Sequence, residues 1–123
     1  MIQKKELVDG CNVWVFDCDS TLTKIEGIDE LASLHSKRNE ISKLTDRAMN
    51  GSLDFGSVFE KRLEAIKPRR EDLEKIGVLY IRNRIQDIEE VVRILINKGK
   101  RIYIVSSGFR YPVEMLAVFL GIP

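Results

Sequence analysis

The stretch that decides the fold of this chain is NVWVFDCDST, residues 12–21. Its first half is a short β-branched and aromatic run that follows a turn signal and precedes polar residues, a pattern typical of a buried strand. Asp17 and Asp19 therefore stand at the carboxyl end of the predicted strand. Since side chains two residues apart in an extended chain point to the same side, both carboxylates are predicted to face one site, at the sheet edge where open α/β sheets bind ligands.

A second strand is predicted at RIYIV, residues 101–105, between the turn signal NKGK and the sequence SSG. Four helical patterns, beginning near Ile28, Glu40, Asp54 and Arg70, lie between the two strands. A fifth, from about Asp87, leads into the second strand, and a sixth, from about residue 111, follows it.

A parallel pair of strands needs a crossover connection, and this connection is far longer than a crossover requires. The sequence therefore predicts an α/β fold with an incomplete parallel core of two strands and an inserted helical cap. We assign residues 1–22 and 85–123 to the core and residues 23–84 to the cap. A two-stranded sheet buries its faces poorly, so we expect a second copy of the chain or a missing C-terminal half to complete it.

Composition narrows the functional classes. The 123 residues carry a formal net charge of +1, which leaves no basic footprint for nucleic acid. The longest apolar runs are much shorter than the roughly 20 residues that span a bilayer, and the amino terminus lacks a signal core, so a cytoplasmic protein is expected. Cys11 and Cys18 are expected to be reduced, with Cys18 packed in the core.

The two aspartates suggest a chemistry. A carboxylate is ionised at neutral pH, so Asp17 needs no base to attack phosphorus, but it needs a cation such as Mg²⁺ to offset its repulsion from a phosphate. Asp19 would then protonate the leaving alcohol and afterwards activate water. An Asp-x-Asp pair taken alone is more often a solvated turn, so the wider sequence context has to decide between the two interpretations.

That context is a family resemblance. FDCDSTLT, residues 16–23, resembles the first motif of the haloacid dehalogenase superfamily of phosphatases, which implies a HAD-like Rossmannoid core. The resemblance implies that Asp17 is the nucleophile and a Mg²⁺ ligand. It implies that Asp19 is the general acid–base and binds the metal through its main-chain carbonyl.

A narrower likeness to the phosphoserine phosphatases of that superfamily is carried by several further segments: EGIDELA at 26–32, RAM at 47–49, Phe55, Arg62 and VSSGFR at 105–110. It implies O-phosphoserine as the small-molecule substrate, with the phosphate bound by Ser106, Ser107 and Gly108. It also implies that Arg62 and Glu26 contact the carboxylate and amino groups of the substrate, while Met49 and Phe55 shape the pocket. On pattern alone, the SSG turn is more often a plain loop, and Arg62 is as often a side chain that reaches past an apolar stripe to solvent as one that binds an anion.

The family's third motif, a lysine, and its fourth, an acidic run, are absent here. No lysine follows Lys100, and Glu114 is the only acidic residue after Ser106. We therefore predict weak or no turnover by the isolated chain. Two alternatives stay open: a non-catalytic remnant that self-associates or binds a partner, and a phosphatase for another small phosphomonoester.

Overall fold

The two predicted strands pair in one parallel sheet in the computed structural model, which describes residues 4–123. β1 (Val13–Phe16) and β2 (Arg101–Ile104) run in register, with Val13 opposite Arg101 and Phe16 opposite Ile104. The prediction of an α/β fold with a truncated parallel core is confirmed. Residues 1–3 of the predicted core lie outside the described residues.

Helices make up most of the rest of residues 4–123. The six predicted helical patterns each correspond to a helix, and one further helix precedes β1. That first helix has only seven residues, too few for the apolar periodicity that identified the others. The helices are α1 (Lys4–Gly10), α2 (Gly27–Leu34), α3 (Arg38–Met49), α4 (Phe55–Ile66), α5 (Arg70–Arg82), α6 (Ile88–Asn97) and α7 (Arg110–Leu120). None of the helices in the described part of the chain has the length and apolar character to cross a membrane.

The two faces of the sheet differ in burial. Trp14, Phe16 and Ile102 point into the core formed with the helices. Alternate residues point the other way, because side chains in a strand alternate between faces. On that second face Val15 is 60% exposed and Tyr103 is 50% exposed, so among the described residues this face has no cover.

The connections into and out of the predicted cap lie side by side. Thr23 and Arg84 form an isolated antiparallel bridge. Two main-chain hydrogen bonds flank it, from the amide of Lys24 to the carbonyl of Asn83 (2.8 Å) and from the amide of Ile85 to the carbonyl of Leu22 (3.0 Å). The division into core and cap remains a prediction, and the bridge falls where its boundaries were drawn.

A polar pair joins α2 to α5. His35, the residue that follows α2, shares a hydrogen bond between its Nε2 and Oδ2 of the buried Asp72 at 3.0 Å. The same carboxylate accepts the main-chain N–H of Arg69 at 2.9 Å, at the start of α5. The Arg69 amide and, after it, His35 hold the pKa of Asp72 below its ordinary value of 3.8, despite the opposing effect of burial.

This carboxylate is expected to make folding sensitive to acid. A lowered pKa adds stability that is fully present above the unfolded-state value and is lost as pH falls through the folded-state value. In urea denaturation, the free energy of unfolding should therefore decline less steeply below about pH 4 in Asp72→Asn than in the unmodified chain. Asp46→Asn, an exposed change on α3, is the control, and identical acid profiles for all three proteins would contradict the assignment.

Candidate active site

Asp17 and Asp19 lie in a tight loop immediately after β1. The main-chain amides of residues 21, 22 and 23 all donate to the carbonyl of Cys18, at 3.2, 2.9 and 3.2 Å. Asp17 is exposed, and its Oδ2 accepts the hydroxyl of Thr21 at 2.9 Å. Cys18 is fully buried, as predicted, and burial followed by the neighbouring carboxylates raises the pKa of its thiol to about 12. The loop thus presents the aspartates and keeps an unreactive thiol in the core.

Three donors hold the Asp19 carboxylate. Oδ1 accepts the hydroxyl of Tyr80 at 2.5 Å and the main-chain N–H of Gly27 at 2.7 Å, and Oδ2 accepts the hydroxyl of Ser106 at 3.3 Å. Tyr80 is fully buried, and burial, reinforced by its bond to Asp19, raises the pKa of the phenol. The phenol therefore remains protonated at neutral pH and donates its hydrogen bond to Asp19.

The segment after β2 closes on the same carboxylate. Gly108 donates its main-chain N–H to Oγ of Ser106 at 3.0 Å, in the turn that precedes α7. A Cβ atom placed on Gly108 would lie 3.0 Å from Oδ2 of Asp19 and 3.1 Å from Oγ of Ser106. Only a glycine lets the main chain approach both groups this closely. An oriented amide and hydroxyl next to a helix start suit an oxyanion such as phosphate.

A cavity of about 100 Å³ opens beside these groups. It brings together residues from the predicted cap and the core: Asp19, Glu26, Ile28, Phe59, Arg62, Ser107, Gly108 and Phe109.

Two of the lining residues carry opposite charges. Nη2 of Arg62 donates to the hydroxyl of Thr45 at 2.5 Å, whereas its buried Nε has no hydrogen-bond partner among the described residues. Oε1 of Glu26 accepts the hydroxyl of Ser20 at 2.6 Å. A guanidinium suits an anion and a carboxylate suits a cation, so these two lining residues could hold opposite charges of one ligand.

The structure does not bring every predicted site residue to this cavity. Ser106 contacts Asp19 from the segment after β2, and Asp17 lies two residues before Asp19 on the loop, although neither Ser106 nor Asp17 lines the cavity. Met49 and Phe55 are also outside the lining, with side chains 75% and 73% exposed. Their predicted roles in shaping a substrate pocket remain predictions.

Other residues of the site were not assigned to it from the sequence. Tyr80 follows the apolar pattern of α5, which gave no sign that its hydroxyl reaches Asp19, 61 residues earlier. Phe59 stood on the apolar stripe of α4, and its ring packs against Phe109 with centroids 6.2 Å apart. The apolar stripe of α4 indicated that Phe59 faces the interior. Its contact with Phe109 after β2 depends on the tertiary fold.

The oxygen donors at the end of β1 have the chemistry that Mg²⁺ prefers. Mg²⁺ is commonly bound by one or two carboxylates together with substrate phosphate and water, and Asp17 with the carbonyl of Asp19 fits that pattern. Among residues 4–123, no three His, Cys, Asp or Glu side chains converge on one point. The donor set therefore fits a metal that also needs substrate and water oxygens, and not an all-protein cage.

Comparisons with known proteins bear on this geometry. The family model for the haloacid dehalogenase-like hydrolases matches residues 12–123. A Homo sapiens phosphoserine phosphatase is 36% identical over 108 residues, which cover 88% of this chain and 48% of that protein. A phosphoserine phosphatase of Archaeoglobus fulgidus is 41% identical over 109 residues, covering 88% of this chain and 31% of that protein.

A solved structure is also similar to this chain, both in fold and in sequence. It is a substrate-bound phosphoserine phosphatase complex, which superposes with a TM-score of 0.75 at 32% identity and covers 91% of this chain and 53% of that one. The resemblance predicted from the sequence motifs is confirmed. This chain spans less than half the length of the two curated relatives.

Proposed function

Because the chain belongs to the haloacid dehalogenase-like hydrolase family, we propose that it hydrolyses O-phosphoserine to serine and phosphate in the presence of Mg²⁺. The observation that carries the proposal is the cavity in which Arg62 and Glu26 stand beside Asp19. A positive and a negative side chain in one small cavity match the carboxylate and ammonium groups of an amino acid. Such a reaction supplies serine for amino-acid biosynthesis, and the cytoplasm remains the predicted location.

The proposed reaction has two steps. A carboxylate oxygen of Asp17 attacks phosphorus, and the ester P–O bond breaks while a proton passes from the Asp19 carboxyl to the departing serine oxygen. Asp19 then takes a proton from water, whose oxygen attacks phosphorus and breaks the P–O bond to Asp17. Asp19 regains its proton and Asp17 its charge, so the net change is phosphoserine plus water to serine plus phosphate.

Several side chains have binding roles in this scheme. Ser106, with Ser107 and Gly108, would hold the phosphoryl oxygens, and Arg62 and Glu26 would hold the amino-acid part. The metal would be held by the Asp17 carboxylate and the Asp19 main-chain carbonyl. Bound Mg²⁺ would offset the repulsion between Asp17 and the incoming phosphate.

A second function is favoured by the uncovered face of the sheet. Val13, Val15, Tyr103 and Val105 are 42%, 60%, 50% and 64% exposed, and contiguous apolar surface of this kind commonly marks an interaction site. A non-catalytic chain that self-associates through this face is therefore the alternative to the phosphatase. Sedimentation analysis would support it if the chain forms a dimer that Tyr103→Glu dissociates.

The proposed function is tested by measuring phosphate release from O-phosphoserine with Mg²⁺ and with a chelator. We expect slow release that the chelator abolishes, and slower release from glycerol 3-phosphate, which lacks the amino and carboxylate groups. Equal rates with both substrates would indicate a phosphatase for other small phosphomonoesters. No release under any condition would contradict a catalytic role for this chain.

A further inference from the structure

We propose that Tyr80 is a positioning residue for Asp19, and that it acts with the Gly27 amide to occupy Oδ1 and leave Oδ2 as the oxygen that exchanges protons. The inference rests on the proposed phosphatase reaction. It adds a role for Tyr80 and identifies Oδ2 as the reacting oxygen of Asp19. It concerns a side chain of α5 that touches neither the cavity nor the nucleophile.

The hydrogen bonds to Asp19 divide its two oxygens unequally. Oδ1 accepts two short bonds, from Tyr80 at 2.5 Å and from Gly27 at 2.7 Å. An ionised carboxylate oxygen has about two acceptor positions, so Oδ1 is saturated. Oδ2 has a single, longer bond, from Ser106 at 3.3 Å. The proton that Asp19 donates to the leaving group is therefore carried on Oδ2.

The hydroxyl of Tyr80 is confined by its surroundings. Tyr80 is fully buried, and a Cβ atom built on Gly27 would overlap its hydroxyl oxygen. A Cβ on Gly108 would lie 3.7 Å from the same oxygen. The phenol thus fills the space between α2, the loop after β1 and the turn after β2, so rotation of Asp19 would require these three segments to move.

A simpler explanation is that a buried tyrosine needs an acceptor and finds one in Asp19. The two explanations predict different effects of removing the hydroxyl. If the bond serves only folding, Tyr80→Phe lowers stability and affects all substrates alike. If the bond orients a general acid, the loss is concentrated on substrates whose leaving group must be protonated.

The first measurement uses this difference in leaving groups. For Tyr80→Phe we expect kcat/KM with O-phosphoserine, which reports the first step and not the hydrolysis step that both substrates share, to fall by about 10- to 100-fold. With p-nitrophenyl phosphate, whose phenolate leaves without a proton, we expect less than about a threefold loss. Tyr111→Phe, which removes a surface hydroxyl that donates to the Glu74 carboxylate, is the matched control and should behave like the unmodified chain. Equal losses on both substrates, or none, would overturn the proposal.

The second measurement does not depend on turnover. Releasing the Asp19 carboxylate frees the Gly27 amide, so hydrogen exchange at that amide should accelerate in Tyr80→Phe. Exchange at Ile85, whose amide bonds to the Leu22 carbonyl, should be unchanged. Unchanged exchange at Gly27 would overturn the positioning role. If exchange at Gly27 is faster in Tyr80→Phe but the unmodified chain releases no phosphate, Tyr80 still positions Asp19. In that case the proposed phosphatase reaction is contradicted and the positioning role is supported.

A second variant guards against misfolding of the first. Gly27→Ala keeps the tyrosine but adds a methyl group that overlaps its hydroxyl oxygen, so the hydroxyl has to shift relative to Asp19. We expect the same preferential loss with O-phosphoserine. A variant that retains full activity with O-phosphoserine would contradict the proposal.

Discussion

Asp17→Asn is expected to reduce phosphate release from O-phosphoserine by about 10³-fold or more. An amide oxygen is neutral and a poor nucleophile, so the attack on phosphorus should be lost. The exchange keeps the size of the side chain and an oxygen that can accept the Thr21 hydroxyl, now 2.9 Å from Asp17. The loss is measured with a phosphate assay at saturating substrate and Mg²⁺.

Its control is Asp46→Asn, the same change at an exposed position of α3. This variant should keep the activity of the unmodified chain. If Asp17→Asn also keeps that activity, Asp17 is not the nucleophile, and any phosphatase activity of the preparation comes from another group or another protein. Unfolding curves for both variants should coincide with that of the unmodified chain, since Asp17 is solvent-exposed.

Arg62→Gln is expected to lower kcat/KM for O-phosphoserine by about 100-fold, because it removes the charge proposed to pair with the substrate carboxylate. Arg62 lines the cavity, and its buried Nε has no hydrogen-bond partner among residues 4–123. Phosphoethanolamine has the ammonium and phosphate groups but no carboxylate. Its kcat/KM should change by less than about threefold. Steady-state kinetics with the two substrates give the ratio directly.

Arg93→Gln is the matched control, because Arg93 is exposed on α6 and pairs only at the surface with Glu90. This variant should leave kcat/KM unchanged for both substrates. If Arg62→Gln loses activity equally on both substrates, Arg62 supports the fold through its bond to Thr45 and does not bind the substrate carboxylate. The substrate proposal would then lose its main support.

The parts of the fold that local sequence encodes were predictable. A short β-branched and aromatic run is typical of a strand. Asp17 and Asp19 follow this run directly, so their place at the sheet edge could be predicted without knowing the tertiary packing. The same holds for the helices with full apolar periodicity. The short helix α1 lacks that periodicity and was missed.

The parts that depend on packing were not predictable. Tyr80 and Asp19 are 61 residues apart, and an apolar pattern cannot show which acceptor a buried phenol reaches. His35 and Asp72 are 37 residues apart, and their hydrogen bond likewise depends on the tertiary fold. Met49 and Phe55 were assigned by resemblance, and their 75% and 73% exposure depends on how α3 and α4 lie against the rest of the chain.

The bridge between Thr23 and Arg84 bears on how this fold can be rearranged. Since the predicted cap leaves and re-enters the predicted core at adjacent hydrogen-bonded residues, a short turn is long enough to replace residues 24–83. Such an excision would also remove Gly27 and Tyr80, the two donors to Oδ1 of Asp19. The predicted cap could thus be removed without breaking the chain path, but its removal would take away the donors that hold Asp19. Any shortened or chimeric version must therefore supply new hydrogen-bond donors to Asp19.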